Sequence, residues 1–205
     1  MGRAAMTGYA RYQFGPLWSD DVTVADGHNG CDTRNDILRR DLTQVVLKPG
    51  TNGCVVLRGA LADPYTGAVI DFTRGRSTSD AVQIDHVVAL GDAWQTGAQQ
   101  LSLVERTNLA NDPVELLAVS GAANQEKGEA DAARWLPPET AFRCEYVAQQ
   151  VAVKVQYHLW VTRAEHDAVA SVLATCPGQT LPTGGPPSAT TPGTTVAAPV
   201  PTGAP

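Results

Sequence analysis

Apolar positions along this chain change period in blocks. Ile37, Leu38 and Leu42 recur at helical spacing behind Asp32 and Thr33, either of which can cap a helix start. The β-rich run from Thr43 to Leu47, the segment from Cys54 to Leu57 and the run from Ala68 to Phe72 follow. Pro49-Gly50-Thr51-Asn52-Gly53 and Asp63-Pro64-Tyr65-Thr66-Gly67 carry turn chemistry between them, so the three runs predict a small β-meander. Val82 to Leu90 and Leu116 to Val119 are apolar runs of strand length, and Asn124 to Trp135 reads as a helix stopped by Pro137-Pro138. Val147, Val151, Val155, His158 and Leu159 share helical spacing, with His158 expected to pack. Thr162-Arg163-Ala164-Glu165 is a capping box opening a second helix with Val169, Val172 and Leu173 on one side. The pattern predicts an α+β fold in one domain over residues 12–176, with an N-terminal meander and a C-terminal helical hairpin. Residues 1–11 are weakly patterned and expected to be disordered. Residues 177–205 hold no charge and are dominated by Pro, Thr, Gly and Ala, which predicts a disordered tail.

Composition changes this picture at two points. The net charge of −6 over 205 residues argues against a surface built broadly for nucleic acid, and leaves room only for a local basic strip. No apolar run reaches the ~18 residues of a membrane span, and Met1-Gly2-Arg3-Ala4-Ala5-Met6 lacks the apolar stretch of a signal peptide. Yet four cysteines occur without any CxxC, which speaks for disulfides over a zinc ribbon or a thioredoxin-like site. Cys31 and Cys54 would pin the first helix to the meander. Cys144 and Cys176 flank the helical hairpin, whose antiparallel geometry brings its two ends together. Two disulfides imply a protein working outside the cytoplasm, extracellular or at the cell surface.

Candidate chemistry is concentrated at Asp85 and His86, with Asn124 and Lys127 about forty residues on. Phosphodiester hydrolysis requires that a water lose a proton, that a pentavalent oxyanion be stabilised and that the leaving oxygen be neutralised. One imidazole and one hard divalent cation suffice. Magnesium keeps several waters, so one carboxylate and one amide oxygen can hold it beside a phosphate, with Mn²⁺ as the alternative. Neighbouring residues on a strand point to opposite faces, so Asp85 and His86 need a twist or bulge to serve one phosphate. Asn124, Lys127 and Asp131 share a helix face, and a helix start favours anions.

These segments resemble a family. Ile84-Asp85-His86-Val87-Val88-Ala89-Leu90, Asn111-Asp112-Pro113 leading into Leu116-Leu117-Ala118-Val119, Asn124-Gln125-Glu126-Lys127-Gly128 and Trp135-Leu136-Pro137-Pro138 look like the HNH endonucleases. They are more similar still to the GmrSD-type branch found in secreted bacterial proteins. Cys31-Asp32-Thr33-Arg34-Asn35-Asp36, Asp63-Pro64-Tyr65-Thr66-Gly67 and Cys144 fit that branch. The resemblance covers roughly residues 9–176 and implies a ββα-metal (His-Me finger) core: two strands, a loop and a helix gripping one divalent ion. It further implies Asp85 as the first metal ligand, His86 as the general base, Asn124 as the last ligand and Lys127 as a cation near the phosphate. Glu115 departs from the pattern. It stands where an Asn normally braces the loop carrying the catalytic His, and Asn111 is the nearest substitute.

The expectation is therefore a metal-dependent endonuclease acting on nucleic acid, DNA with little sequence preference, without an obligate protein partner. Arg74 and Arg76, before the active strand, and Arg34 are candidate phosphate contacts. Trp94, Trp135 and Trp160 read as core. Two other classes fit the same residues. A catalytically weak or inactive binding module on a Pro/Thr tail is favoured by Glu115 and the acidic charge. The cutting half of a restriction or toxin system is disfavoured by the disulfides.

Overall fold

The computed structural model describes residues 1–182, so the tail assigned to 177–205 lies outside the described residues from 183 onward. Helix α1 (Thr33–Asp41) starts on Asp32, whose carboxylate accepts from the Asn35 amide, and runs into β1 (Leu42–Leu47). β1, β2 (Val56–Ala62) and β3 (Val69–Thr73) form the antiparallel meander, in that order. A separate antiparallel pair consists of β4 (Val82–His86) and β5 (Leu116–Ser120), in continuous register from Val82 opposite Ser120 to His86 opposite Leu116. Between them lie two helices that the hydrophobic pattern did not announce, α2 (Leu90–Gln95) and α3 (Leu103–Asn111). The polar Ser102–Glu105 capping box was the available signal for α3. Helix α4 (Gly121–Lys127) follows β5 directly, and α5 (Arg143–Gln156) and α6 (Arg163–Leu173) close the domain as the expected hairpin.

The two-stranded sheet divides two cores, as strand alternation requires. Val82, Ile84, Leu116 and Ala118 pack on Ile37, Leu38 and the meander. Leu117 and Val119 face the other way, into the cluster built on Val87, Trp94, Tyr146 and Val153. α1 is tied to the sheet by more than apolar contact. Arg40 donates to the carbonyls of Pro113 and Leu116, both at 2.7 Å, and the Asp41 carboxylate accepts from the Ala118 amide at 2.8 Å.

Three expectations need correction. Residues 1–11 are placed against the body. Ala4 and Gln95 exchange hydrogen bonds of 2.8 and 3.0 Å, and the Trp160 indole donates to the Gly2 carbonyl at 3.0 Å. Arg3 enters a buried network in which it meets Asp92 at 2.9 Å and Asp131 at 2.6 Å, while Lys154 meets Asp92 at 2.8 Å and Glu165 at 2.5 Å. α4 ends at Lys127, well short of Trp135, because Gly128 takes a positive φ of 52° and caps it; Asp131 is thus off the helix and belongs to the Arg3 network. His158 is exposed with φ 53°, just past the end of α5. Among the described residues, no helix is long and apolar enough to cross a membrane.

Both cysteine pairs are joined, Cys31 to Cys54 with a Cα–Cα distance of 5.2 Å and Cys144 to Cys176 at 6.4 Å. Each closes a loop long enough to remove about 3 kcal/mol of unfolded-state freedom on the chain-entropy view. Reduction should therefore lower the melting temperature by several degrees per bridge, as measured by circular dichroism with and without dithiothreitol. An unchanged transition would show that neither bridge contributes.

Candidate active site

Among the described residues β4 pairs only with β5, and its Val82 and His86 carbonyls accept from Arg34 and Lys127. A cavity of about 250 Å³ at the end of β4 draws its wall from successive residues of the strand. Ile84 and His86 come from one face and Asp85 from the other, joined by Asn124 of α4 and by Tyr9 and Arg11 of the N-terminal segment. Despite the alternation along the strand, Asp85 and His86 both line this one cavity. No bulge interrupts the β4–β5 register.

Asp85 is buried and both carboxylate oxygens are held. Lys127 donates to Oδ1 at 2.9 Å, and the Tyr65 hydroxyl donates to Oδ2. Lys127 also donates to the His86 carbonyl at 2.7 Å and is itself only 2 % exposed. It lies behind Asp85 and forms no part of the cavity wall, so it is not placed to meet a phosphate there directly. Its position follows from α4, where the spacing of Asn124 and Lys127 puts both on the face toward β4. The approach is close enough that a side chain on Gly121 would run into the Asp80 carbonyl. Tyr65 is a site residue that motif reading missed. It sits in the Asp63–Gly67 turn, fully buried, with edge-on contacts to Trp135 and Tyr146. The signal was an aromatic with a polar tip inside a turn.

His86 is half-buried and stacks on Trp18, their rings 5.8 Å apart and 13° from parallel. Its Nε2 lies 3.0 Å from the Ala110 carbonyl, in the last turn of α3, where helix carbonyls lack internal partners. A carbonyl only accepts, so Nε2 carries the proton and Nδ1 keeps its lone pair. Burial, with the nearby Arg11 guanidinium adding to it, pushes the imidazole down to about 3, which keeps it neutral at physiological pH. Glu115, in the place of the expected Asn, is fully buried and does not hold the ring. It braces the loop after His86, accepting from the Val88 amide on Oε2 at 3.2 Å, while its own carbonyl accepts from Val87 at 2.9 Å. Burial pushes its carboxyl well above the usual range, toward the protonated acid. Asn111 does not replace it; its amide donates to the Thr107 carbonyl at 2.9 Å.

Asn124 donates through Nδ2 to the Gln83 amide oxygen at 2.9 Å, which fixes the amide and reserves Oδ1 as an acceptor. Each Asp85 oxygen takes one hydrogen bond and retains further lone pairs. Asp85 and Asn124 together form an oxygen donor set of the kind a hard divalent cation takes, and they could hold one at this wall. The proposed phosphate contacts are not brought here. Arg74 is committed to the Val56 carbonyl at 2.6 Å and to Asn35 at 2.6 Å, and Arg34 to the Val82 carbonyl at 3.1 Å, both bracing the meander and β4. Arg76 is exposed and away from the cavity wall.

Residues 32–172 match the family described as GmrSD restriction endonucleases, C-terminal domain. A protein of Arthroderma benhamiae carrying the name "Uncharacterized secreted protein" is 37% identical over 171 residues, which span 82% of this chain and 76% of that protein. The matched span contains Asp85, His86, Glu115, Asn124 and Lys127, and begins after Arg11 and Trp18.

The geometry makes Lys127 the mate of a buried carboxylate. Lys127→Met should cost about 3–5 kcal/mol, because it strands Asp85 in a dry site. Urea denaturation checks this, and a loss under about 1 kcal/mol would mean that the pair is not what holds α4 to β4.

Proposed function

We propose, for a chain that belongs to the family of GmrSD restriction endonuclease C-terminal domains, metal-dependent hydrolysis of nucleic-acid phosphodiesters, with DNA of little sequence preference as the substrate. One observation carries the reading: Asp85, His86 and Asn124 line a single cavity, with His86 held in the tautomer that leaves Nδ1 able to accept a proton. Asp85 and His86 come from β4 and Asn124 from α4, with β5 pairing against β4, the strand, strand, helix order of a ββα-metal core. Glu115 departs from the family's Asn, but Ala110 supplies the acceptor that orients the ring.

In this mechanism His86 Nδ1 takes a proton from a water aligned with the phosphorus. The water oxygen bonds to phosphorus, the bond from phosphorus to the 3′-oxygen breaks, and that oxygen takes a proton from solvent. The products are a 5′-phosphate and a 3′-hydroxyl. Asp85 and Asn124 would hold one divalent cation, Mg²⁺ or Mn²⁺, which supplies charge stabilisation for the crowded phosphate and the leaving oxygen. Tyr65 and Lys127 keep Asp85 in one orientation and compensate its charge before substrate arrives. The Trp18 face restricts the imidazole to the plane that its Ala110 bond selects. The two disulfides and a secreted relative support action outside the cytoplasm.

Supercoiled plasmid nicking with Mg²⁺, Mn²⁺ or EDTA tests the proposal. The wild-type protein should nick with either cation and stop in EDTA. His86→Ala should lower the rate at least ~100-fold, the scale of a lost general base. Wild-type nicking rates in EDTA, or full activity in His86→Ala, would contradict the mechanism.

A further inference from the structure

Arg11 is a cation without a counterpart. Both terminal nitrogens of its guanidinium, Nη1 and Nη2, are buried and have no hydrogen-bond partner among the described residues. No carboxylate lies within ion-pair distance of it there. Such a group is destabilising unless something arrives to satisfy it. It lines the same cavity as Asp85, His86 and Asn124. Of the two carboxylates on that wall, Asp85 is held by Lys127 and Tyr65, and Glu129 is engaged by the Tyr9 hydroxyl at 3.3 Å and the Gly91 amide at 2.6 Å. Lys127 is likewise spent on Asp85 and the His86 carbonyl.

Arg11 is also held firmly in place. It opens the short 3₁₀ turn Arg11–Phe14, whose Phe14 is fully buried between Tyr9 and Trp94. The Gln13 carbonyl accepts from Arg106 at 2.7 Å, and Gly15 turns the chain at φ 77°, where a side chain would strike Thr107. A flexible surface arginine would find water. This one is anchored on both sides, with both ends of its donor fork buried, and it contributes to the cavity wall.

We propose that Arg11 is the phosphate-gripping residue of this site. A planar fork of N–H donors matches two oxygens of a tetrahedral anion, and a buried fork acts on charge that grows on those oxygens as the water attacks. Arg11 forms no covalent bond and passes no proton. The catalytic part of this assignment rests on the nuclease reading; the anion site does not. Arg11 takes the role that the family resemblance implied for Lys127, and it comes from outside the matched span.

The test uses the full chain in EDTA with inorganic phosphate as the probe, comparing wild type, Arg11→Met and Arg11→Lys by thermal melting and titration calorimetry. Phosphate should raise the wild-type melting temperature through preferential binding to the folded state, and should leave Arg11→Met unmoved. Without phosphate, Arg11→Met should melt at or above wild type, since it removes an uncompensated buried charge. Arg11→Lys should retain part of the phosphate response. In the nicking assay Arg11→Met should lose ~100-fold in kcat/KM, the scale of one lost transition-state donor. A Met variant that melts several degrees lower would make Arg11 a structural residue and overturn the proposal. So would an equal phosphate response in wild type and Arg11→Met. Phosphate binding that depends on Arg11 in a protein that nicks no nucleic acid would support the anion site and refute the nuclease reading.

Discussion

A lysine ammonium sealed in a protein interior is tolerated only when its charge and its three donors are matched, and the placement of Lys127 organises the centre of this molecule. Its ammonium bridges the Asp85 carboxylate and the His86 carbonyl, so one side chain fixes both residues at the end of β4. Because Lys127 is the last residue of α4, the same contact sets how that helix lies across the strand pair, and with it where Asn124 points. The pairing also holds Asp85 in place, with the ammonium on one carboxylate oxygen and the Tyr65 hydroxyl on the other. The nearby Glu115 has no such cation bonded to it, and burial pushes its carboxyl well above the usual range. Two acids in one dry neighbourhood thus have different partners and different roles, one facing the cavity and one bracing a loop.

Around this centre the fold meets a geometric problem. A two-stranded sheet presents alternate residues to opposite sides, which would part a metal ligand from a neighbouring base. At the end of β4, Asp85 and His86 nonetheless line one cavity, with Asn124 of α4 beside them. The N-terminal segment supplies the missing wall. Its start is tied down by Arg3 in the Asp92–Asp131–Glu165–Lys154 network, its middle by Phe14, and its end by Trp18 lying on His86. That network contains three carboxylates offering atoms within 4.8 Å of one another, but Arg3 and Lys154 already occupy it. It reads as the anchor of the segment, and none of its members lines the cavity beside His86.

How much of this was legible in the sequence follows the range of the interactions. The meander, the helical hairpin and both cysteine pairings depend on local periodicity and turn residues, and these could be read directly. Asp85, His86 and Asn124 could be singled out because their types and order are restrictive, and the fold brings them to one cavity. The length of α4 was misjudged because Gly128 stops it ahead of the more conspicuous Pro137-Pro138. Residues 1–11 looked structureless because nothing within the segment holds it; its anchors are Gln95, Asp131 and Trp160, far away in the chain. For the same reason Arg11 and Trp18 were invisible as site residues. Lys127 was found but misplaced, since spacing shows that a residue shares a helix face without showing how deep that face lies. The arginines chosen for phosphate contact, Arg34 and Arg74, are consumed by backbone carbonyls, a fate that basic residues near a motif do not advertise.

Whether Asp85, Asn124 and His86 form one metal-holding hydrolytic centre can be tested without any substrate, by titrating paramagnetic Mn²⁺ into isotope-labelled protein and following it by nuclear magnetic resonance. The Asn124 side-chain amide and the His86 ring signals should broaden first, at the lowest Mn²⁺ concentrations, and Asp85→Ala should abolish this early broadening. Early broadening centred on Asp92, Asp131 and Glu165, with the Asn124 and His86 signals left sharp, would contradict such a centre.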